Sequence, residues 1–229
     1  MNELNWSQKA RSTITPIKHL LSRLSFIVRT GQFNIFTKTF NPSTNTTVLD
    51  VGSTSDETLK DSNLFLRLYP YKNNLTTATI EDSKKLAKLY PKIEVKKIVP
   101  GKPLPYGNKS FDLAVSWATI EHVGNYDQQR FFINDLLRVA KNVYLTTPYR
   151  GCPYEPHTGF LFVHWLPLKW FRWFCSITGQ SFLSQESNLN PLYIKDVRSM
   201  VPQKTKLKIE VYKMFGVLPS HLLIYSSLK

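Results

Sequence analysis

The sequence predicts an α/β protein built on a doubly wound, mostly parallel β-sheet. Between residues 47 and 148, short apolar or β-branched segments alternate with helix-like segments. Such alternation requires right-handed crossover connections, which place successive strands parallel to each other. Near the C-terminus two β-type segments follow one another directly, which adds an antiparallel hairpin. At 229 residues, the chain has room for one sizeable domain.

The individual elements follow from apolar spacing and from helix and turn signals. The predicted core strands are "VLDV" from residue 48, "LTTATI" from 75, "KIEVKKIV" from 92, "FDLAVSWA" from 111 and "NVYLTT" from 142. The predicted helices are "DETLKDSNLFLRLYP" up to Pro70, "EDSKKLAKLYP" up to Pro91, and Asn125 to Ala140. The hairpin consists of "KLKIEVYKMFG" and "HLLIYSSLK", with its turn at "VLPS".

Composition divides the chain into four parts. Residues 1–46 are predicted as a helical extension, because apolar residues recur at three- and four-residue spacing between Pro16 and about Phe40. These apolar residues are Ile17, Leu20, Leu21, Leu24, Ile27 and Val28. Residues 47–148 form the core. Residues 149–191 are an insertion rich in Trp, Phe, Pro and His without a clean period, and residues 192–229 supply a helix and the hairpin.

The charge and the cysteines limit the partners and the compartment. Lys and Arg number 30 against 16 Asp and Glu, so a formal charge of +14 favours anionic partners. Nucleic acid is the less favoured of these, because the basic residues are spread along the whole chain. Cys152 and Cys175 form neither a metal-ligand pair nor a disulfide framework, which favours a cytoplasmic protein. No apolar run suits a bilayer-spanning helix, so we expect the protein to be soluble or to lie on a membrane surface.

Three segments carry a resemblance to a known family. "VLDVG" at 48–52, "PLPYGNKSFDLAVSWATIEHV" at 103–123 and "RFFINDLLRVAKNVYLTTP" at 130–148 resemble the first, fourth and fifth strand regions of class I S-adenosylmethionine-dependent methyltransferases. The match is to the small-molecule, type 11-like branch, in which the loop before the fourth strand often reads like "LPYGNKSFD". The resemblance implies a Rossmann-like fold, S-adenosylmethionine as cofactor, and methyl transfer to a small-molecule or lipid-linked acceptor.

In that family the first strand ends in an acidic residue and a Gly-x-Gly-x-Gly turn. The resemblance therefore implies that Asp50 lies under the methionine part of the cofactor and that Gly52 begins the binding loop. The other two glycine positions are held here by Thr54 and Asp56. Small polar residues such as Ser53 and Thr54 can hydrogen-bond where larger ones collide, so we expect the altered loop to bind the methyl donor.

The family also places an acidic residue at the end of the second strand, where it accepts hydrogen bonds from the ribose. Glu81 and Asp82 are the candidates, although Thr79 stands closer to the usual position. The alternative is that this acidic pair opens the following helix by interacting with its dipole.

The resemblance implies the remaining cofactor contacts by position. The loop "VPGKPLP" lacks the acid that usually meets the adenine, so Gly101 and Leu104 are expected to line that site by backbone and apolar contact. After the fourth strand, Ser116, Trp117 and Ala118 are expected near the sulfonium end of the cofactor.

Methyl transfer depends mainly on positioning, and a hydroxyl acceptor also needs a base. His122, with Glu121 beside it, is the first candidate base, and His157 in the aromatic insertion is a further catalytic candidate. The alternative for His122 is a structural role at the start of a loop. A similar Glu-His pair is linked to a divalent metal in some quinone-type relatives, but no metal is predicted here.

The aromatic insertion occupies the position where this superfamily often builds a substrate lid. Its aromatic residues are interleaved with Lys169 and Arg172, a composition suited to a lipid or prenyl acceptor and to peripheral contact with a membrane. These residues are Trp165, Trp170, Phe171, Trp173 and Phe174. The alternative is that they cover the sheet edge and pack against the N-terminal helix.

Two other functions remain open. The missing glycines and the missing adenine acid suit a non-catalytic binding or interaction module on the same fold. The positive charge suits an RNA or protein methyltransferase, although an Asn-Pro-Pro-Tyr-type motif is missing after the fourth strand. A hydrolase is disfavoured because "GSTSD" is not a Gly-x-Ser-x-Gly nucleophile turn.

Overall fold

The core of the described chain is a mixed sheet of seven strands. A computed structural model describes residues 18–227, so the predicted helix start at Pro16 and Ile17 lies outside the described residues. The strands are β1 (Val48–Val51), β2 (Leu75–Thr79), β3 (Glu94–Lys97), β4 (Phe111–Trp117), β5 (Ala140–Pro148), β6 (Leu207–Met214) and β7 (Leu218–Ser226). Their order is β3-β2-β1-β4-β5-β7-β6, with β7 antiparallel to both of its neighbours. The predicted fold class is confirmed.

Helices cover both faces of the sheet. They are α1 (Lys18–Phe40), α2 (Leu64–Leu68), α3 (Ser83–Leu89), α4 (Tyr126–Val139), α5 (Leu168–Ile177) and α6 (Ile194–Met200). One apolar cluster contains Ile133 and Leu136 of α4 with Val197 of α6, and a second contains Phe33 and Phe36 of α1. Each cluster includes buried side chains from the sheet, so the core has two layers of apolar contact separated by the strands.

Capping and backbone conformation explain where the helices begin. Asn125 and Gln128 form a reciprocal capping box at the start of α4. Asn63, by contrast, has a left-handed backbone with φ of 45° directly before α2. The prediction of a helix over the whole of residues 56–70 is therefore wrong, because only Leu64–Leu68 is helical.

Three further expectations need correction. The aromatic insertion contains a regular helix, α5, whose buried residues Phe171 and Cys175 are four positions apart and whose other apolar residues are largely exposed. The hairpin turn is residues 215–217 and overlaps "VLPS" only at Val217, since Phe215 and Gly216 adopt the left-handed backbone that closes it. In α1, Ile27 is 51% exposed, and the buried apolar residues include Val28, Phe33 and Phe36.

Candidate functional site

A cavity of about 830 Å³ opens at the edge of the sheet where β1, β2 and β4 end. Its wall includes residues 50–54 at the end of β1 and just beyond it, residues 80–81 after β2, much of the loop 98–104 after β3, and residues 117–119 at the end of β4 and just beyond it. Side chains from α1, the insertion and the hairpin complete it. Ligands of open α/β sheets bind at the carboxyl ends of the strands, and pockets of ~300–1,000 Å³ are typical of small-molecule sites.

At Gly52 the backbone of the cavity wall lies directly against the side chain of Thr119. Its φ is 109°, and a Cβ atom there would lie 2.1 Å from Oγ1 of Thr119. Any side chain at this position therefore collides with the loop after β4, in addition to straining the backbone. Gly52 is thus required by the fold of the loop itself.

The rest of the glycine-poor loop is held by its own side chains. Glu81 Oε2 accepts hydrogen bonds from Thr54 Oγ1 at 2.9 Å, from Ser55 N at 2.7 Å and from Ser55 Oγ at 3.0 Å. Asn63 accepts from the backbone N–H of Thr54 and donates to its carbonyl oxygen. Hydroxyl groups therefore fix a loop that glycines would leave free to bend. Glu81 and Thr54 both line the cavity.

Asp50 is buried at the base of the cavity and is only 5% exposed. Its Oδ2 accepts hydrogen bonds from the hydroxyls of Ser53 and Thr77, and those two hydroxyls are themselves 2.7 Å apart. Burial raises the pKa of Asp50 to about 6, and the two hydrogen bonds oppose that rise. A cationic ligand group would favour the ionised form of this carboxyl.

Four of the predicted site residues do not line the cavity. Asp56 accepts from the N–H of Thr58, and Asp82 caps α3 by accepting from the N–H groups of Lys84 and Lys85. Ser116 donates to the carbonyl oxygen of Val51, and Glu121 lies buried behind His122. The structure therefore places Glu81, and not Asp82, where a ligand in the cavity could reach it.

The loop after β3 is held from beneath by an acid that the sequence analysis did not identify. Asp135 of α4 accepts the N–H of Leu104 at 2.6 Å and pairs with Arg138. Gly101, with a φ of 72°, and Leu104 both line the cavity. Asp135 also lines the cavity. Its position within a helix, and not at the end of a strand, concealed this role in the sequence.

Trp117 and Ala118 form the part of the wall that follows β4. Ala118 has a φ of 50°, a left-handed conformation that a non-glycine residue rarely adopts. The indole Nε1 of Trp117 is buried and has no hydrogen-bond partner among the described residues. This conformation directly precedes Thr119, whose side chain lies against Gly52.

The three predicted catalytic residues meet in space. His122 Nε2 lies 3.1 Å from His157 Nε2, although the residues are 35 positions apart in sequence. Oε1 of Glu121 lies 3.7 Å from the first of these nitrogen atoms and 3.9 Å from the second. Both imidazoles line the cavity. We call Glu121, His122 and His157 the histidine cluster.

The outer nitrogen atoms of both imidazoles have fixed acceptors. His122 Nδ1 lies 2.8 Å from the carbonyl oxygen of Asn188, and His157 Nδ1 lies 2.7 Å from Oε1 of Glu155. A carbonyl oxygen and a carboxylate accept but do not donate, so both Nδ1 atoms carry hydrogen. The two Nε2 atoms therefore face each other as the groups that can bind a proton or another cation.

The electrostatics of the cluster separate the two rings. Burial and the neighbouring His157 hold the pKa of His122 well below its ordinary value. Burial also disfavours charge on His157, but the carboxylates of Glu155 and Glu121 outweigh it and raise the pKa of that ring. Burial raises the pKa of Glu121, whose Oε2 accepts from Thr147 and whose Oε1 has no hydrogen-bond partner in the described part of the chain. One added proton therefore belongs on His157.

Glu155 is a site residue that lies outside the candidates predicted from the sequence. It is 3% exposed, it orients His157, and it accepts the N–H of Thr158 at 2.6 Å. Burial alone would raise the pKa of Glu155, but His157 and these hydrogen bonds lower it. Its position two residues before His157 was the available sequence signal.

The N-terminal helix contributes a polar part of the cavity wall. The hydroxyls of Ser22 and Ser25 each donate to the carboxylate of Asp61 at 2.7 Å. The guanidinium of Arg29 donates to the carbonyl oxygen of Asp61 and lies 4.0 Å from its carboxylate. All four residues line the cavity, so α1 acts as part of the site and not only as a cover for the sheet.

An exposed aromatic surface lies outside the cavity, on the insertion. Trp165, Trp170 and Trp173 are 45%, 51% and 55% exposed. The ammonium group of Lys169 lies 5.5 Å from the centre of the Trp170 ring. Within residues 18–227, no helix has the length and apolar character needed to cross a bilayer.

Comparisons with known proteins agree with this description at the level of structure. No protein-family model matches the chain, and no curated protein matches it by sequence. A methyltransferase structure from Methanosarcina mazei, described as S-adenosylmethionine-dependent, has a TM-score of 0.56 at 15% identity, covering 85% of this chain and 97% of that one. Magnesium protoporphyrin IX methyltransferase from Synechocystis PCC 6803, with bound S-adenosylhomocysteine, has a TM-score of 0.55 at 10% identity, covering 99% and 90%.

A third similar structure is geranyl diphosphate C-methyltransferase from Streptomyces coelicolor, in complex with Mg²⁺, geranyl diphosphate and S-adenosylhomocysteine. Its TM-score is 0.54 at 8% identity, covering 87% of this chain and 78% of that one. Identities this low show a common fold. The strand order, the antiparallel seventh strand and these neighbours together show that the chain has the fold of class I S-adenosylmethionine-dependent methyltransferases.

Proposed function

We propose that the protein is an S-adenosylmethionine-dependent methyltransferase that acts on a hydroxyl group of a small-molecule or lipid-linked acceptor. The observation that carries the proposal is the shared cavity. The end of β1 with Asp50, and the loop that begins at Gly52, lie on one side of it, and the two imidazoles of the histidine cluster contribute to another part of the same wall. Donor and acceptor could therefore be held together at near-attack distance, which supplies much of the acceleration in such a transfer.

The cofactor is assigned by its chemistry to one half of the cavity. The ionised carboxyl of Asp50 attracts the ammonium group of the methionine part, directly or through water. Glu81 offers carboxylate oxygens to the ribose hydroxyls, and the loop with Gly101 and Leu104 offers an apolar and backbone surface to the adenine. Trp117 and Ala118 then adjoin the sulfonium group.

The histidine cluster supplies the base that a hydroxyl acceptor requires. The acceptor oxygen forms a bond to the methyl carbon while the carbon–sulfur bond breaks, which leaves S-adenosylhomocysteine. The proton of the hydroxyl passes to the pair formed by His122 and His157. The carboxylates of Glu121 and Glu155 stabilise the resulting positive charge on His157.

The aromatic surface favours an acceptor that is held at a membrane. Exposed indole rings beside a lysine suit the boundary between lipid headgroups and acyl chains, and the formal charge of +14 favours an anionic surface. The cavity wall also includes Cys152, Pro153 and Tyr154 from the insertion that carries these rings. A lipid-linked acceptor could therefore keep its tail in the membrane while its head enters the cavity.

Calorimetric titration with S-adenosylmethionine and S-adenosylhomocysteine tests the proposal. We expect stoichiometric binding to the wild-type chain, at least tenfold weaker binding to the isosteric variant Asp50→Asn, and unchanged binding to Asp127→Asn. Asp127 lies on the exposed side of α4, where its carboxylate pairs with Arg130. A folded wild-type protein that binds neither ligand would instead support the alternative of a non-catalytic module on this fold.

Binding of the cofactor without a preference for lipid-linked acceptors would leave the RNA and protein methyltransferase alternative. Transfer of a labelled methyl group to a lipid extract, to total RNA and to a protein extract distinguishes the three acceptor classes. We expect label in the lipid or small-molecule fraction. Label confined to RNA or protein would overturn the acceptor assignment while leaving the cofactor assignment intact.

A further inference from the structure

We infer that the histidine cluster is a binding site for a divalent transition metal of the zinc type. The three atoms that would bind it are Oε1 of Glu121, Nε2 of His122 and Nε2 of His157. Two imidazole nitrogens and one carboxylate oxygen form a ligand set found in catalytic zinc sites and in other divalent metal enzymes.

The separations of these atoms fit one metal ion. They lie 3.1, 3.7 and 3.9 Å apart, and a point about 2.1 Å from all three exists between them, which is the length of a zinc–nitrogen or zinc–oxygen bond. Small contractions of these distances would move the ion out of the plane of its ligands. Because both imidazoles line the cavity, the remaining coordination positions are expected to face it. With an ion bound, His122 and His157 would serve as its ligands, and a water or hydroxide on the ion would replace the imidazoles as the base for an acceptor hydroxyl.

The protonation pattern of the cluster turns its imidazole ligand atoms toward one another. Both Nδ1 atoms are committed to acceptors, so two Nε2 lone pairs of neutral rings would face each other at 3.1 Å. Oε1 of Glu121 is buried, belongs to a residue that is 1% exposed, and has no hydrogen-bond partner within residues 18–227. A buried carboxylate oxygen without a hydrogen bond destabilises the folded protein. A cation between these three atoms would relieve both this cost and the repulsion between the two nitrogen lone pairs.

Residues behind the cluster support the same assignment. Glu155 accepts from His157 Nδ1, and the carbonyl oxygen of Asn188 accepts from His122 Nδ1. Metal-binding histidines in proteins usually donate their second N–H to a carboxylate or a backbone carbonyl in this way, which orients the ring and makes it a better ligand. Thr147 donates to the other oxygen of Glu121 and fixes that carboxylate as well.

Cobalt binding provides the test, because Co²⁺ replaces zinc and its visible spectrum reports the ligand set. The full chain is treated with a chelator and titrated with CoCl₂ while absorption and stoichiometry are measured. We expect one ion per chain. Glu121→Gln and His157→Asn should bind far more weakly, and Glu155→Gln should bind ~10–100-fold more weakly, as is typical of residues that orient a ligand.

His221→Asn is the matched control, since His221 lines the same cavity but lies outside the cluster. We expect it to bind cobalt like the wild type, and circular dichroism verifies that each variant is folded. No stoichiometric binding by the folded wild type, or equal binding by wild type and Glu121→Gln, overturns the inference and leaves the histidines as a proton-sharing pair.

Metal binding and cofactor binding are separable outcomes. Titration of the same preparations with S-adenosylhomocysteine shows whether the cofactor site is intact. Cobalt binding without cofactor binding would remove the proposed function but keep the metal site. Cofactor binding without cobalt binding would remove the metal site but keep the proposed function.

Discussion

The loop after β1 shows how single residues replace a glycine-rich turn. Gly52 occupies the position where Thr119 leaves no space for a side chain. At the next positions the chain uses Thr54 and Ser55, whose hydroxyls both bind Glu81. The backbone freedom of glycine is exchanged for hydrogen bonds that hold a single loop conformation. The same carboxylate is then the group a ribose would have to share.

Asp50 is expected to destabilise the ligand-free protein at neutral pH. Burial raises its pKa from 3.8 to about 6, so the folded chain holds a proton that the unfolded chain has lost between these pH values. The associated stability is therefore present below pH 3.8 and is lost as pH rises through 6. Asp50→Asn, which cannot ionise, should raise the free energy of unfolding at pH 7 by up to about 3 kcal/mol.

Urea unfolding of wild type and Asp50→Asn at several pH values between 4 and 8 provides the measurement. The advantage of the variant should be largest at pH 7 and above and should shrink steadily toward pH 4. Asp127→Asn, on the surface of α4, is the control and should show little change. A variant less stable than the wild type at pH 7 would contradict the expected sign.

At the level of elements, the strands could be predicted from the sequence, but the presence of α5 and the short extent of α2 could not. Leu75–Thr79 and Phe111–Trp117 read as strands because β-branched and apolar residues are buried on both faces of a parallel sheet. In α5 the polar residues Lys169, Arg172 and Ser176 recur at helical spacing, but exposed Trp170 and Trp173 stand where polar residues are expected and obscure that period. The extent of α2 depends on the left-handed backbone of Asn63, which local sequence does not reveal.

The exposed face of α5 is expected to bind membranes. Replacing both Trp170 and Trp173 with Ala removes rings that are more than half exposed, so the fold should not change. We expect the double variant to lose most of its flotation with vesicles that contain anionic lipid, because indole rings contribute strongly at the headgroup boundary.

Phe215→Ala is the matched control for this experiment. Phe215 is 68% exposed but lies in the turn between β6 and β7, away from the insertion in sequence. The Phe215→Ala variant should float with the vesicles like the wild type. Equal flotation by all three proteins, or none by the wild type, would count against membrane contact through α5.

The site as a whole combines residues that are distant in sequence, which limits what a sequence can reveal. Asp50 and Gly52 could be identified because Asp50 lies near the end of a predicted strand and Gly52 directly follows it, and His122 because it follows another strand. That His157 meets His122 could not be inferred, since the insertion has no strand register to place it. The contribution of α1 through Ser22, and that of Asp135 from a helix face, depend on packing across the whole molecule.

Ligand binding should stabilise the whole molecule, because the cavity is lined by the sheet, α1, the insertion and the hairpin together. A ligand present at one hundred times its dissociation constant adds ~2.7 kcal/mol to the free energy of unfolding. For a chain of this size, that corresponds to a rise in melting temperature of roughly 5–10 °C. Thermal unfolding with saturating S-adenosylhomocysteine measures it, with Asp50→Asn at the same ligand concentration as the control. The melting temperature of the wild type should rise by this amount and that of the variant by clearly less, since a ligand stabilises the folded protein in proportion to how tightly it binds there. Equal rises in both proteins would show that Asp50 does not contribute to cofactor binding.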